Sequence, residues 1–467
     1  MNQFEPTVGP IVGHTTSSAA RIWVRGNVLI EDQVRVLPCT AAIRYRNGAG
    51  GWSHPFVMKL EPYFDGTAVF VLEDLAPDTG YDYQIVCFEG EAQLGPATDM
   101  VAGQLVWPGD RIYTFRTQPA DDDVRSFVAG SCRYLLTMFG GLVFDERGDK
   151  IYDAIRAAHD KRRLHGLLLI GDQIYADDLG PFGADDTVEE FFKRYRRVFA
   201  QPFFRRLLNT VPTYMMLDDH EIENNWPQGA TSPRAADKFK AATHAYQVYQ
   251  ASHSPVFDVD DRRIVGIPKK LWYEFSNGKC DFFVMDTRTE RVLGSSPPQI
   301  LGPEQMKQLL RWLARGQGEG RIKIVVSAVP FLSVLPNESE DKWSGFEVQR
   351  NAILQAIQQK QLRNIVFVSG DVHCSFACTA ELEDVKVHQI VSSPLFWALP
   401  HALSGQIDVS TPIRTDGGIW ALKPRSRIHR TDNFARFDVD PLAKKLMVGF
   451  YDRKGKVLEE GIELKLD

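Results

Sequence analysis

The segment Leu167-Leu168-Leu169-Ile170-Gly171-Asp172-Gln173-Ile174-Tyr175 decides the fold: four apolar residues without polar alternation run into a glycine turn that carries a carboxylate and a phenol. An apolar run of that length suits a strand covered on both faces. Three other runs share the design. Tyr214-Met215-Met216-Leu217 leads into Asp218-Asp219-His220-Glu221, Phe282-Phe283-Val284-Met285 into Asp286-Thr287-Arg288, and Ile365-Val366-Phe367-Val368 into Ser369-Gly370-Asp371-Val372-His373. In open α/β sheets ligands bind beyond the carboxyl ends of strands. Four such endings, rich in carboxylates and imidazoles, predict a metal site assembled there.

Outward from these runs, strands alternate with helical segments from residue 124 onward. Residues 126–132 read as a strand ending in a small-residue turn, and 150–163 as a crossover helix with a polar face. Further helices are predicted across 187–208, 234–251, 303–315 and 345–361. The stretch 395–433, rich in Gly, Pro and Trp, shows no periodicity and reads as a long functional loop. Before residue 120 the pattern has period two, as in Ala20-Arg21-Ile22-Trp23-Val24-Arg25 and Ile43-Arg44-Tyr45-Arg46, with turns such as Arg46-Asn47-Gly48 between the runs. Leu75-Ala76-Pro77-Asp78-Thr79-Gly80-Tyr81-Asp82-Tyr83 looks like the corner leading into a late strand of a fibronectin type III-like sandwich, and Tyr113-Thr114-Phe115-Arg116-Thr117 like its last strand. Two domains are expected: an all-β sandwich at 1–120, and an α/β catalytic domain at 124–467 after the acidic linker Gln118-Pro119-Ala120-Asp121-Asp122-Asp123.

Composition limits the classes. With 44% hydrophobic and 24% charged residues among 467, the chain has the make-up of an ordinary globular protein. No run approaches the ~18 apolar residues a membrane span needs. The net charge of −6 argues against nucleic acid as a stable partner. Six cysteines, at 39, 87, 132, 280, 374 and 378, make no disulfide framework. Met1-Asn2-Gln3-Phe4-Glu5-Pro6 has neither a basic nor an apolar signal region, so cytoplasmic residence is expected, or a periplasmic or secreted one if a signal was removed.

The chemistry-bearing residues follow from the strand endings. Asp172 and Tyr175 are placed to share one ion, and a tyrosine held as phenolate requires a strong Lewis acid. Asp371 and His373, at i and i+2, project to one face of an extended chain. Cys132, followed by Arg133, is a thiolate ligand or a nucleophile if it lies beside a metal or guanidinium, and a small buried hydrophobe otherwise. Cys374 and Cys378 read as core-lining. Asp218-Asp219-His220-Glu221 with Asn224-Asn225 offers more donors than a turn needs, leaving His220 to contact a substrate oxygen or move a proton. Arg133 and Arg288 suit bidentate contacts to an anion, or a structural ion pair with a neighbouring aspartate.

Ser131-Cys132-Arg133, Gly171-Asp172-Gln173-Ile174-Tyr175, Asp218-Asp219-His220-Glu221 with Asn224-Asn225, Asp286-Thr287-Arg288 and Ser369-Gly370-Asp371-Val372-His373 stand in the order found in the alkaline phosphatase D (PhoD-like) metallophosphatases. The preceding β-sandwich is similar to that family's N-terminal domain, so the resemblance covers nearly the whole chain. It implies a calcineurin-like catalytic domain of four layers, α/β/β/α, related to purple acid phosphatases. It also implies a cluster of ferric iron with calcium, other divalent ions such as Mn2+, Co2+ or Zn2+ being alternatives. By the resemblance Cys132, Asp172, Tyr175 and His373 hold iron, Asp172 bridges to calcium, and Asp371 with either Asp219 or Asn224 completes the calcium sites. The family's members are commonly exported by the twin-arginine route, and the signal for that route is missing from this sequence.

The expected function is therefore that of a metal-dependent phosphoesterase acting on small phosphate monoesters and diesters, an alkaline phosphatase/phosphodiesterase. In it the ions neutralise phosphoryl charge and supply hydroxide, Arg133 or Arg288 grips an oxygen, and His220 assists the leaving group. Trp397 and Trp420 are candidate stacking walls. Two alternatives stand beside it: a metallohydrolase of phosphotriesters or lipid esters, and a binding protein with a structural metal site. The pattern does not address oligomeric state.

Overall fold

The computed structural model describes residues 1–26, 38–92, 94–138, 142–143, 145–178, 183–332, 341–398 and 407–467. The chain divides into two compact units. One comprises Met1–Ala120, Val188–Tyr214 and His244–Lys269; the other comprises Asp121–Thr187, Met215–Thr243 and Lys270–Asp467.

In the first unit the period-two runs become two antiparallel sheets. One has the order Gln3–Phe4, Gly80–Glu89, Cys39–Asn47, Phe56–Leu60, Gly95–Pro96, with Tyr113–Arg116 also paired to Gly80–Glu89. The other runs Asp258–Asp260, Arg263–Val265, Thr67–Leu72, Ala20–Arg25, Val8–Thr15. Inward residues of both sheets, among them Ile22, Val24, Ile43, Phe70, Leu72 and Ile85, share one core, which makes the unit a sandwich. The corner tyrosine is Tyr81, whose hydroxyl accepts a hydrogen bond from the Ala76 N–H at 2.8 Å.

Sequence order placed residues 188–214 and 244–269 in the catalytic domain, yet they belong to the first unit. Specific contacts hold them there. The Arg205 guanidinium donates to the Gly9 carbonyl, the Trp23 indole to the Val248 carbonyl at 2.9 Å, and Arg21 to the Phe257 carbonyl at 3.0 Å. The helix expected over 187–208 is two helices, Val188–Phe199 and Pro202–Leu208. Pro202 is the cause: it starts a helix readily but cannot continue one, and it forces Gln201 out of helical geometry. The helix expected over 234–251 is observed as Pro233–Tyr246 followed by a π-helical turn, Gln247–Ala251.

The second unit contains two mixed sheets. The first has the order Thr213–Met216, Gly166–Ile170, Arg125–Gly130, Asn433–Asp440, Lys445–Asp452, Val457–Lys465. The second has the order Tyr273–Asn277, Cys280–Val284, Ile322–Ser327, Ile365–Ser369, Val385–Val391, Phe376–Leu382, Gly418–Pro424, Ile413–Thr415. The four apolar runs supply strands of these sheets, two in each, with Thr213–Met216 at the edge of the first, and every residue of these strands is buried. Phe127 of the first sheet meets Phe282 of the second edge-on at 5.0 Å, and the Arg125 Nε donates to Asn277 Oδ1 at 2.9 Å, so the sheets lie face to face. Helix Arg147–Lys161 covers the outer face of the first sheet, its Ala158 carbonyl accepting from Arg436. Helices Pro303–Ala314 and Glu347–Gln359 cover the second through Leu309, Trp312, Leu313, Ile353, Leu354 and Ile357. The result is the four-layer α/β/β/α arrangement.

The long loop expected at 395–433 is only partly irregular. Residues 399–406 lie outside the described residues, while Ile413–Thr415 and Gly418–Pro424 extend the second sheet. Within Gly418–Pro424, Trp420 and Leu422 point into the core and Ile419 and Ala421 out of it, a strand alternation too short to stand out beside Gly417-Gly418. Trp420 is therefore a core residue and not a stacking wall.

Candidate metal centre

Neighbouring strands bring the motifs together. Arg125–Gly130 and Gly166–Ile170 are parallel partners, so the loops after them run side by side. There the Arg133 N–H donates to the Asp172 carbonyl at 2.9 Å and the Cys132 N–H to the Gly171 carbonyl at 3.4 Å. Two glycines permit the close approach. A side chain at Gly171, where φ is +77°, would lie 2.2 Å from the Asp218 Cβ. One at Gly370 would lie 2.3 Å from the Ser131 Oγ, and that hydroxyl accepts from the Asp371 N–H.

Glu221 ties two loops into one body. Its carboxylate, fully buried, accepts from the backbone N–H groups of Asp172 (2.9 Å), Gln173 (2.7 Å) and Asp218 (2.9 Å). Four candidate ligands then sit in the left-handed region of backbone space: Cys132 (φ 55°), Asp172 (52°), Asp371 (70°) and His373 (49°). Such conformations are uncommon for non-glycine residues and cluster at functional sites.

Ligand atoms of Asp172, Asp218, Asp219 and Asp371 lie within 4.8 Å of one another, and so do those of Asp172, Asp219 and His220. Asp172 and Asp219 belong to both groups. The Asp172 Oδ1, the Asp218 Oδ2 and the Tyr175 hydroxyl are buried with no hydrogen-bond partner among the described residues. Buried polar atoms are ordinarily satisfied, so these three, aimed into a cluster of anions, fit a bound cation. Cys132 adjoins the cluster, its thiol 3.2 Å from the Asp172 Oδ2 and 3.1 Å from the Ser393 Oγ. His373 is not among the residues whose ligand atoms converge, and it packs on the aromatic rings beside them. Its ring is 4.1 Å from that of Trp397, which is 5.7 Å from Tyr175, and Tyr175 lies 4.2 Å from His220.

The electrostatics agree with a cation-binding role. Burial, reinforced by Asp219, holds the Asp172 carboxyl well above its ordinary range, and burial raises Asp371 to about 6 against the pull of Lys342. Burial likewise pushes up the Tyr175 phenol, with Cys132 adding to it, and the Cys132 thiol, with Asp172 adding to it. Each penalty falls on the anionic form, and a cation reverses that logic. Burial alone would lower the His220 imidazole, but Asp219 and Asp172 and its hydrogen bond to the Asp177 carboxylate outweigh it and raise it to about 10. Asp177 meets the His220 Nδ1 at 2.9 Å, and its Oδ2 also accepts the Asn224 N–H at 3.0 Å.

Other expected residues lie elsewhere. The carboxylate of Asp286 caps its own turn, accepting from the N–H groups of Arg288 (3.1 Å) and Thr289 (2.8 Å), so this strand ending contributes no ligand. The Arg288 side chain is buried and bound to Asp218 (2.5 Å), Asp341 and the Trp226 carbonyl. Arg133 turns away to the Gly148 carbonyl and Asp149 and lies over the Tyr152 ring. Both arginines thus have the ion-pair fate rather than the anion-gripping one. Asn224 is exposed and lines a separate polar cavity of about 320 Å³ with Glu223, Trp226 and Lys238. Asp219, the other residue left open for the calcium site, has its carboxylate among the converging ligand atoms.

Sequence reasoning passed over Asp177, Asp218 as a ligand, the clasp of Glu221, and the pair Asp341-Lys342. Asp341 pairs with Arg288, Arg291 and Lys342, and the Lys342 ammonium also pairs with Asp371. Asp177, two residues beyond Tyr175, was within reach of the motif; Asp341-Lys342 follows no apolar run of the kind that marks the other motifs and carried no signal.

Comparison with known proteins bears on this geometry. A sequence model of the PhoD-like phosphatases matches residues 136–440. Alkaline phosphatase D of Bacillus subtilis (strain 168) is 28% identical over 241 residues, 45% of this chain; the aligned part spans 39% of that protein's length. A solved structure of PhoD superposes with a TM-score of 0.70 at 17% identity, covering 97% of this chain and 92% of that one, a likeness of fold.

Proposed function

The chain belongs to the PhoD-like phosphatase family, and from that premise we propose that it is a metal-dependent phosphoesterase hydrolysing small phosphomonoesters and phosphodiesters. The observation that carries this reading is the convergence of Asp371 with the buried Asp172, Asp218 and Asp219 and their unpartnered oxygens. These carboxylates would hold the ions together with Tyr175, Cys132 and His373, a set of hard oxygen donors plus one thiol and one imidazole that suits ferric iron beside calcium. Bound there, the ions would supply Lewis-acid charge for the phosphoryl oxygens and lower the pKa of water.

The chain's own residues do the rest. Asp177 fixes the His220 ring through Nδ1, leaving Nε2 as the atom that hands a proton to the leaving oxygen. The Trp397 and Tyr134 rings, 5.7 Å apart, form an aromatic wall against which a flat leaving group can stack. The Glu221 clasp holds the Asp172 and Asp218 loops at fixed separation, which preorganises the site.

The test is elemental analysis of the purified protein, together with turnover of phosphate mono-, di- and triesters before and after chelation, on wild type and Asp172→Ala. Expected are iron and calcium in wild type, parallel loss of mono- and diesterase activity on chelation, and a folded Asp172→Ala protein without metal or turnover. Full metal content and activity in that variant would refute the reading. Turnover of triesters alone would move the assignment to the phosphotriester class.

A further inference from the structure

Arg133 turns away from the cluster, and Arg288 is paired with the carboxylates of Asp218, Asp219 and Asp341; a further cation reaches the cluster from another side. Among the described residues one basic side chain pairs with Asp371 within the carboxylate cluster: Lys342, buried, its ammonium on the Asp371 Oδ2. Its position is fixed from behind. The Asp341 carboxylate binds Lys342 and is itself held by the Arg288 and Arg291 guanidinium groups, the latter at 3.0 Å. Arg291 is anchored in turn by the Thr287 carbonyl at 3.0 Å. The four cluster carboxylates and Asp341 therefore face Arg288, Arg291 and Lys342: Arg288 pairs with Asp218, Asp219 and Asp341, Arg291 with Asp341, and Lys342 alone of the three with Asp371.

We propose that Lys342 is a substrate-contacting residue whose ammonium binds a non-bridging phosphoryl oxygen. This rests on the phosphoesterase reading. The reasoning is geometric: the group that touches the oxygen of a proposed metal ligand lies next to whatever anion that metal holds. An ammonium is a compact point charge that follows such an oxygen without the planar constraint of a guanidinium. Asp341, carrying no proposed ligand role, keeps the ammonium oriented while Asp371 serves the ion. Lys342 would thus do what the sequence led one to expect of Arg133 or Arg288.

The experiment uses the full chain loaded with metal, and compares wild type, Lys342→Met and Lys342→Arg. The quantities are KM and kcat for an aryl phosphomonoester, the competitive Ki of inorganic phosphate, metal content and thermal midpoint. A lost charge-assisted hydrogen bond predicts a rise of about tenfold or more in KM and in the phosphate Ki for Lys342→Met. Metal content should be retained and Lys342→Arg should recover part of the affinity. An unchanged phosphate Ki, or a loss confined to metal content, overturns the proposal, because Lys342 would then act only through the carboxylates. Should Lys342→Met not fold, wild-type crystals soaked in inorganic phosphate decide. The ammonium is expected at about 2.7–3.2 Å from a phosphate oxygen, and phosphate bound out of its reach overturns the inference. Wild type that holds metal but turns over no phosphate ester would sink the phosphoesterase reading itself, a separate outcome.

Discussion

Replacing Glu221 by alanine should loosen the centre without touching a proposed ligand. The Glu221 carboxylate is fully buried and accepts three backbone hydrogen bonds of 2.7–2.9 Å, from Asp172, Gln173 and Asp218. Hydrogen bonds to a charged acceptor contribute about 1.5–3 kcal/mol each, and a buried donor left unsatisfied costs about 1–3 kcal/mol. Three lost together, with some water entering the space, put the destabilisation on the order of 3–5 kcal/mol. With an unfolding entropy of about 2.1 cal/mol/K per residue, 1 kcal/mol moves the midpoint of a unit of this size by about 1.6 °C, so the lower bound corresponds to a fall of roughly 5 °C. Scanning calorimetry of the metal-free protein measures it, and elemental analysis should show weakened metal retention, since both flanking loops carry ligands. Glu221→Gln should fall between, because one amide oxygen can still accept while the NH2 group faces a donor. A Glu221→Ala protein melting within 1–2 °C of wild type and retaining its metal would show that the clasp is not what positions Asp172 and Asp218.

Two further outcomes follow from single residues. Cys132→Ser should preserve the fold, since the side chain is isosteric and fully buried, but should alter any visible absorption and weaken iron retention; a phosphocysteine trapped by mass spectrometry during turnover would refute a ligand role. In strand Cys280–Val284, burial alone would raise the Asp281 carboxyl, but Arg321, Lys323 and Ser276 hold it down at about 2. Its stabilising contribution is present above the unfolded value near 3.9 and is lost as pH falls through about 2, so Asp281→Asn should cost about 1–2 kcal/mol at pH 7 after allowance for solvent screening and less at pH 3. Urea midpoints at the two pH values check this, and an equal deficit at both would count against the ion-pair origin.

The apolar runs were legible because a strand covered on both faces cannot hide: it has no polar alternation, and its end is marked by the first charge. That rule does not say what the charge is for. At the end of Gly166–Ile170 the Asp172 carboxylate faces the cluster, whereas at the end of Cys280–Val284 the Asp286 carboxylate folds back on its own backbone, and the two read alike in sequence. Arginines are ambiguous for a related reason. Whether Arg288 meets a substrate or Asp341 depends on a residue 53 positions away, and long-range pairing of that kind leaves no local trace. The helix break at Pro202 was readable from proline alone; the transfer of residues 188–214 and 244–269 to the sandwich was not, because an amphipathic helix shows that it has an apolar face but not which core that face joins.

The interleaved course of the chain bears on its birth at the ribosome. The sandwich lacks its strands Asp258–Asp260 and Arg263–Val265 until residue 269 has been made, 149 residues after Ala120. At about 5–20 residues per second that delay is roughly 7–30 s, during which strand Thr67–Leu72 is an open edge. The first unit therefore cannot mature as an independent N-terminal domain while the rest is still being translated. Its completion waits on polypeptide that emerges only after the Asp172 and Asp219 loops, which ties the nascent-chain schedules of the two units together and makes a fragment ending at residue 120 an unfinished sheet rather than an excised module.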